Sequence, residues 1–456
     1  MKKETDTAGR IMTHLVPWIS EKMPGAKHLV ISGIEKPGMG LSNETYLFTL
    51  NWEEAGEKKT RQMVLRASPS ERVFPDYHLE HQFLVMKALK GTGVPVPEMF
   101  WMEKEAAVIG APFYLMERLN GTMPKDYPSY HGSGMFFDLA GERRSEIWID
   151  SVDTLARINM IDWKARGLDF LGVPGPGTGP IDLQLAYWKR YLDWVKSDPA
   201  EEHPVLERAL VWLEENRYEP DRVGLCWGDA RVGNILYSEP GHDIVAVLDW
   251  EMAFLGDPEA DLAWFIFIDR YLHEEYGLPR LGGLPTAGET VTRYEKLTGW
   301  KVRHFKYNEM FAALRFGMIL VSVIKKLMNQ GMHNYSHMLQ GNYCVRFLAA
   351  ELGMPVPGGN QAQQTPADGG RVTIQFDFSG PGGGHWYIVN EGGSSARHEG
   401  SVEKPSCRVR ASADDWRALQ TGELNQIEAW KTGRLVVDGD LNVMIRLKED
   451  IARLQG

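Results

Sequence analysis

Apolar positions in this chain alternate with polar ones near the start, recur every three to four residues through the middle, and alternate again near the end. A period of two marks a half-buried strand, and a period near 3.6 marks an amphipathic helix. His28–Ser32 and Thr45–Leu50 read as strands flanking the turn-rich Pro37-Gly38-Met39-Gly40-Leu41-Ser42-Asn43, and Gln62–Arg66 reads as a third. Apolar residues at 79, 83, 86 and 89 predict a helix over about 77–90, stopped by Gly91-Thr92-Gly93-Val94-Pro95-Val96-Pro97. Pro112–Glu117 closes the block as a further strand. From about 143 to 218 the period is helical, apart from the Gly/Pro-rich loop at 172–177, and it is helical again from about 258 to 353. Between these lies a hairpin over 223–251. Residues 355–366 have turn formers and no apolar period, which is the pattern of a linker. Strands at 371–378, 385–390 and 406–411 follow, with a helix near 413–420.

A chain of 456 residues is expected to hold two or three compact units. The net charge of −11 argues against a nucleic-acid partner, which calls for a basic face. Cys226, Cys344 and Cys407 are far apart, which argues against a disulfide framework or a zinc site and fits a reducing compartment. The polar N-terminus has no apolar run behind it, so a cytoplasmic location is expected. The most apolar segment, Met310 to Met328, is interrupted by Arg315 and closed by Lys325-Lys326, and reads as a buried helix rather than a membrane span.

The chemistry concentrates in Cys226-Trp227-Gly228-Asp229-Ala230-Arg231-Val232-Gly233-Asn234 and Val247-Leu248-Asp249-Trp250-Glu251. Phosphoryl transfer needs a carboxylate beside the attacking hydroxyl and oxygen ligands for Mg²⁺. Asp229 is the candidate base, and Asn234 and Asp249 are the candidate metal ligands. Arg231 is a candidate either to neutralise phosphate charge or to pair with a carboxylate. The glycine loop containing Gly40, Ser42 and Asn43 suits a phosphate cover. Arg66 ends a strand where a phosphate-binding cation is expected, and Glu80, on the following helix, is its expected ion-pair partner. Met116, Glu117 and Leu119 form the expected hinge against which an adenine lies. Each residue also has a plainer reading, as a turn Asp, an Asx-turn Asn or a solvated charge. Asp261 is placed to brace the catalytic loop, Asp257 and Pro258 to start a helix, and His131, His203 and His304 to serve the structure.

As a set, Gly40-Leu41-Ser42-Asn43-Glu44-Thr45-Tyr46, Val64-Leu65-Arg66, Gly93-Val94-Pro95-Val96-Pro97, Trp227-Gly228-Asp229 through Asn234, and Leu248-Asp249-Trp250-Glu251 resemble the aminoglycoside phosphotransferase and choline kinase-like family. The branch it looks most like is the one associated with acyl-CoA dehydrogenases. Trp227 stands where that family usually has His, and Arg66 where it usually has Lys. Ile374 through Gly380, His385 through Val389, Ala411 through Trp416 and Gly433 through Asp440 resemble a sterol carrier protein type 2 domain. Trp416, Leu419, Leu424, Ile427 and Trp430 are the candidate lining of its lipid tunnel. The resemblance implies an α+β chain: a two-lobed protein-kinase-like fold, with a small β-rich N-lobe and a helical C-lobe, followed by a small α/β lipid-carrier-like domain. The implied divisions are 1–119, 120–354, a linker at 355–370, and 371–456. The implied activity is Mg²⁺-dependent transfer of the γ-phosphate of ATP or GTP to a small-molecule hydroxyl. The carrier-like domain turns the expectation toward a hydroxylated lipid, hydroxyacyl thioester or sterol-like acceptor, with a lipid or acyl-CoA ligand. The alternatives are a kinase for a small polar alcohol or aminoglycoside, and a non-catalytic lipid-binding protein with a degenerate kinase-like domain.

Overall fold

The computed structural model of the protein describes residues 4–37, 44–175, 177–196, 198, 200–331, 335–356, 371–391, 394–421, 424, 429 and 433–439. Helix α1 (Glu4–Lys22) leads into strands β1 (Lys27–Glu35), β2 (Glu44–Glu54) and β3 (Glu57–Ala67). Ala55 and Gly56 both take positive φ, as the tight turn joining β2 to β3 requires. Helix α2 (Leu79–Leu89) then precedes β4 (Met99–Glu103) and β5 (Phe113–Glu117), which complete an antiparallel sheet of order β1-β2-β3-β5-β4. Alternation along β2 sends Tyr46, Phe48, Leu50 and Trp52 to one face, where Ile11, Leu15, Trp18 and Ile19 of α1 cover them. Val64, Tyr114 and Met116 face the other way, into a core shared with α2 and with the helices that follow.

Those helices are α3 (Met135–Asp138), α4 (Gly141–Asn159), α5 (Pro180–Val195) and α6 (Pro204–Glu215). Two small antiparallel ladders come next. β6 (Gly224–Cys226) pairs with β9 (Phe254–Gly256), and β7 (Ile235–Tyr237) pairs with β8 (Ile244–Val247). They are followed by α7 (Glu259–Glu274), α8 (Ala287–Thr298), α9 (Phe305–Asn329), α10 (Met338–Gly341) and α11 (Tyr343–Leu352). Apart from the covalent connection after β5, several hydrogen bonds tie the sheet end of the molecule to this helical part, among them Arg190 to Asp76 and Lys326 to the Glu71 carbonyl. The Val73 carbonyl, in the loop after β3, accepts from the Tyr191 hydroxyl of α5 and from Ser322 Oγ of α9. The Val247 amide of β8 donates to the Pro95 carbonyl at 2.8 Å.

The last unit holds β10 (Val372–Ser379), β11 (Gly384–Glu391), β12 (Ser394–Glu399), β13 (Cys407–Ser412), α12 (Ala413–Thr421) and β14 (Leu435–Gly439). Its sheet runs β12-β11-β10-β13-β14, with β10 and β13 parallel and the other neighbours antiparallel. Phe376 stacks on Trp386 at 4.0 Å, and Phe378 lies 5.0 Å from Trp416. Leu424 belongs to this unit's core and Trp416 and Leu419 pack against it, while Ile427 and Trp430 lie outside the described residues. The whole is α+β, with a small β-rich part, a helical part and a small α/β unit. The elements that carry no expectation from sequence include α1, β4, α3, β12 and β14. Among the described residues no helix is long and apolar enough to cross a membrane.

Candidate active site

The loop between β6 and β7 carries Asp229 and Asn234, and its path is set by Gly228. That residue has φ +89°, and a Cβ there would sit 2.0 Å from the Met252 carbonyl oxygen, so only glycine fits. Asp261, fully buried near the start of α7, accepts from the Trp227 amide at 2.6 Å and the Gly228 amide at 2.8 Å. Asn159 of α4 donates to the same carboxylate at 3.0 Å. Asp261 therefore braces the loop, as its position in the sequence implies. Asp257 caps the start of α7 through the Glu259 amide at 3.0 Å. Trp227, buried in the place expected for His, donates its indole N–H to the Leu248 carbonyl at 2.9 Å. It thereby ties the loop to the residue preceding Asp249.

The Asp229 carboxylate has partners on both oxygens. Oδ1 accepts from Trp264 Nε1 at 2.9 Å. Oδ2 accepts from Asn234 Nδ2 at 2.7 Å and Arg231 Nε at 3.1 Å. Burial first, and then the charge on Asp249, push the Asp229 carboxyl up to about 7, against the opposing hydrogen bonds from Asn234 and Trp264. Asn234 directs its amide nitrogen to Asp229, so its amide oxygen is the end left for a cation. The Leu248 amide donates to the Asn234 carbonyl at 2.9 Å, which brings Asp249 beside Asn234. Asp249 has φ +61°, a left-handed conformation rare outside glycine and concentrated at functional sites. Among the described residues no three or more His, Cys, Asp or Glu are grouped to hold a metal ion. One carboxylate and one amide oxygen fit a hard divalent cation whose other ligands are phosphate oxygens and water.

Arg66, at the end of β3, reaches this centre. Its Nη2 lies 3.4 Å from Asp249 Oδ1, its side chain is 14% exposed, and its Nε has no hydrogen-bond partner among the described residues. The expected partner, Glu80, is not there. Glu80 pairs with Lys104 at 2.6 Å, with both side chains exposed. The physical reason is the phase of α2, whose buried face is Leu79, Gln82, Phe83, Val85, Met86 and Leu89, leaving Glu80 on the outer side. The polar residue that α2 turns inward is Gln82, which accepts from Tyr114 Oη and donates to Tyr77 Oη, both at 3.3 Å. Tyr77 and Tyr114 in turn flank Arg66.

Arg231 takes the carboxylate-pairing alternative, with ion pairs to Asp229 and to Asp126. Asp126, in the stretch after β5, carried no sequence signal, because it falls in a segment with no regular period. Met116 is buried in β5, the Glu117 amide is committed to the Glu98 carbonyl at 2.9 Å, and Leu119 is half-buried. Gly40, Ser42 and Asn43 lie outside the described residues. The three histidines are occupied structurally: His131 near Asp269, His203 on Glu201 at 2.8 Å, and His304 stacked on Tyr218 at 3.6 Å.

Residues 33–300 match the phosphotransferase enzyme family, and residues 361–451 match the SCP-2 sterol transfer family. Acyl-CoA dehydrogenase family member 10 of Mus musculus is 33% identical over 298 residues, covering 63% of this chain and 26% of that protein. Acyl-CoA dehydrogenase family member 11 of Rattus norvegicus is 28% identical over 339 residues, covering 72% and 40%. This chain thus spans between about a quarter and two-fifths of the length of those relatives. A solved structure from Ralstonia eutropha, assigned to the aminoglycoside phosphotransferases, superposes with a TM-score of 0.54 at 22% identity, over 74% of this chain and 95% of its own. At that identity the likeness establishes the two-lobed fold.

Proposed function

Because the chain belongs to the phosphotransferase enzyme family, we propose that it moves the γ-phosphoryl group of ATP or GTP to a hydroxyl of a small molecule at Asp229. The observation that carries this reading is the hydrogen-bonding state of the Asp229 carboxylate. Oδ2 already accepts two bonds and Oδ1 only one, from Trp264, so one Oδ1 lone pair remains for an incoming hydroxyl. An Asp229 carboxylate with that lone pair free is able to orient the hydroxyl and take its proton as the P–O bond forms. Asn234 and Asp249 would hold Mg²⁺, which when bound neutralises charge on the phosphate oxygens. Arg66 lies beside Asp249 to meet those oxygens, and its planar fork suits a bidentate contact. The stretch holding Met116, Glu117 and Leu119 remains our candidate hinge for the nucleotide base, and Gly40, Ser42 and Asn43 our candidate phosphate contacts.

The match of residues 361–451 to a sterol transfer family supports an apolar, hydroxyl-bearing acceptor such as a hydroxylated lipid or hydroxyacyl thioester. A thermal-shift series with ATP, GTP and their diphosphates, with and without Mg²⁺, tests the reading on full-length protein and on Asp249→Ala. Nucleotide is expected to raise Tm only with Mg²⁺ present, and the variant is expected to lose the effect. Mg²⁺-independent stabilisation, or an unchanged response in the variant, would remove Asp249 from the metal site.

A further inference from the structure

Arg315 is a cation in the middle of an apolar helix, and the chemistry above does not use it. It is 1% exposed on α9, among Met310, Phe311, Ala312, Ala313, Leu314 and Met318, all buried. Burying a guanidinium without partners is costly, so its surroundings have to compensate. Its Nε and Nη2 have no hydrogen-bond partner among the described residues. It is held instead against aromatic faces, 4.4 Å over the Trp264 ring, 4.7 Å over Phe311 and 5.8 Å over Phe254. The carboxylates acting on it are Asp261, which braces the catalytic loop, and Asp229 itself.

These contacts form a chain. The guanidinium stacks on the indole of Trp264, and the indole N–H donates to Asp229 Oδ1, the oxygen that keeps a lone pair for the acceptor. Phe316, the next residue on α9, meets the same indole edge-on at 5.8 Å, so the ring is gripped from two sides. We propose that Arg315 is a positioning residue for phosphoryl transfer: its cation fixes the Trp264 ring plane, and through it the direction of the Oδ1 lone pair of Asp229. It touches neither nucleotide nor acceptor. A flat cation is suited to this role, because it stacks on a ring and still faces carboxylates at its edge. A hydrogen-bonded neutral residue would supply the contact without the charge.

The inference rests on the kinase reading for its effect on rate, but not for its effect on the indole. The test uses full-length Arg315→Met, Arg315→Lys and Trp264→Phe, with Mg-ATP as the probe. In ¹⁵N-indole NMR, with Trp264 assigned by its absence from Trp264→Phe, the Trp264 N–H is expected to exchange with solvent ~10-fold or more faster in Arg315→Met. Arg315→Lys, which keeps the charge, is expected to restore most of that protection. Consumption of Mg-ATP is expected to fall ~10- to 100-fold in Arg315→Met and in Trp264→Phe, since small misplacements of a reacting group cost that much. The KM for Mg-ATP is expected to stay within about twofold. An Arg315→Met protein with an unchanged indole proton and unchanged turnover would overturn the proposal. So would equal losses in kcat and nucleotide affinity that Lys does not relieve, the mark of a packing role alone. If Arg315→Met does not fold, Arg315→Lys carries the indole comparison against wild type, and Trp264→Phe carries the turnover comparison. A wild-type protein that consumes no Mg-ATP counts against the kinase reading, and the indole comparison still decides the positioning claim.

Discussion

Arg66 and its neighbours illustrate how one helical residue step redistributes roles. On α2 consecutive side chains point about 100° apart, so Leu79 packs inward and Glu80 looks out toward Lys104. The inward polar position falls to Gln82, whose amide holds the two phenols that wall in Arg66. An exposed pair such as Glu80–Lys104 contributes ~0–1 kcal/mol. Glu80→Ala is therefore expected to leave both Tm and nucleotide affinity almost unchanged. Gln82→Leu, which strips two buried hydroxyls of their partner, is expected to cost ~1–3 kcal/mol. Denaturant unfolding of the two variants checks the contrast, and a large loss in Glu80→Ala would return that residue to the site. That Asp229, Asn234 and Asp249 come together was legible because loop geometry depends on residue type and local spacing. The Glu80 pairing was misread because it depends on a helix's rotational phase against a strand. Asp126 was not legible, since nothing nearby in sequence marks a residue that matters only by meeting Arg231 across the fold.

At the scale of elements, alternation along Thr45–Leu50 and the 3.6 period of residues 79–89 were readable because one face of each is buried. Strand β12, Ser394–Glu399, has an almost wholly exposed side-chain pattern and takes its place at a sheet edge only by pairing with β11. Tertiary pairing, not periodicity, makes it a strand. Helix α1 had the apolar spacing 11, 15, 18 and 19, but its polar opening and internal Pro17 concealed it. Helix α7 carries the loop brace at one end and a second buried carboxylate, Asp269, nearer the other. Asp269 accepts from Tyr130 Oη at 2.5 Å and Arg280 Nε at 2.7 Å, with His131 Nε2 at 3.2 Å. Burial alone would push this carboxyl up, but the His131 and Arg280 interactions outweigh it and hold it below the usual range. Its stabilisation is therefore present above the unfolded-state value of ~3.9 and is lost as pH falls through the lower folded value. The Tm difference between wild type and Asp269→Asn is expected to be largest near pH 7 and to shrink below about pH 4. A difference that widens in acid would contradict this assignment.

For the molecule as a whole, the buried apolar residues fall into separate clusters, and the one built on Ile374, Phe376, Trp386 and Val409 shares no member with the others. Cooperativity follows shared burial, so calorimetry of the full chain is expected to resolve two transitions. Trp416→Ala, which removes an indole packed on Phe378, is expected to lower only one of them. A single transition that shifts as one would show that the units unfold together. Within the larger part, the bonds at Val73 and Pro95 have a mechanical consequence. Together with the chain leaving β5 and with bonds such as Arg66–Asp249 and Arg190–Asp76, they tie the two lobes at several separate places. Any motion that parts the lobes must therefore break such bonds, at ~1 kcal/mol for each hydrogen bond lost to water. The strand that ends in Arg66 is moored one loop later to the helix that bears Arg315. Arg66 and Arg315 are thus set to travel together.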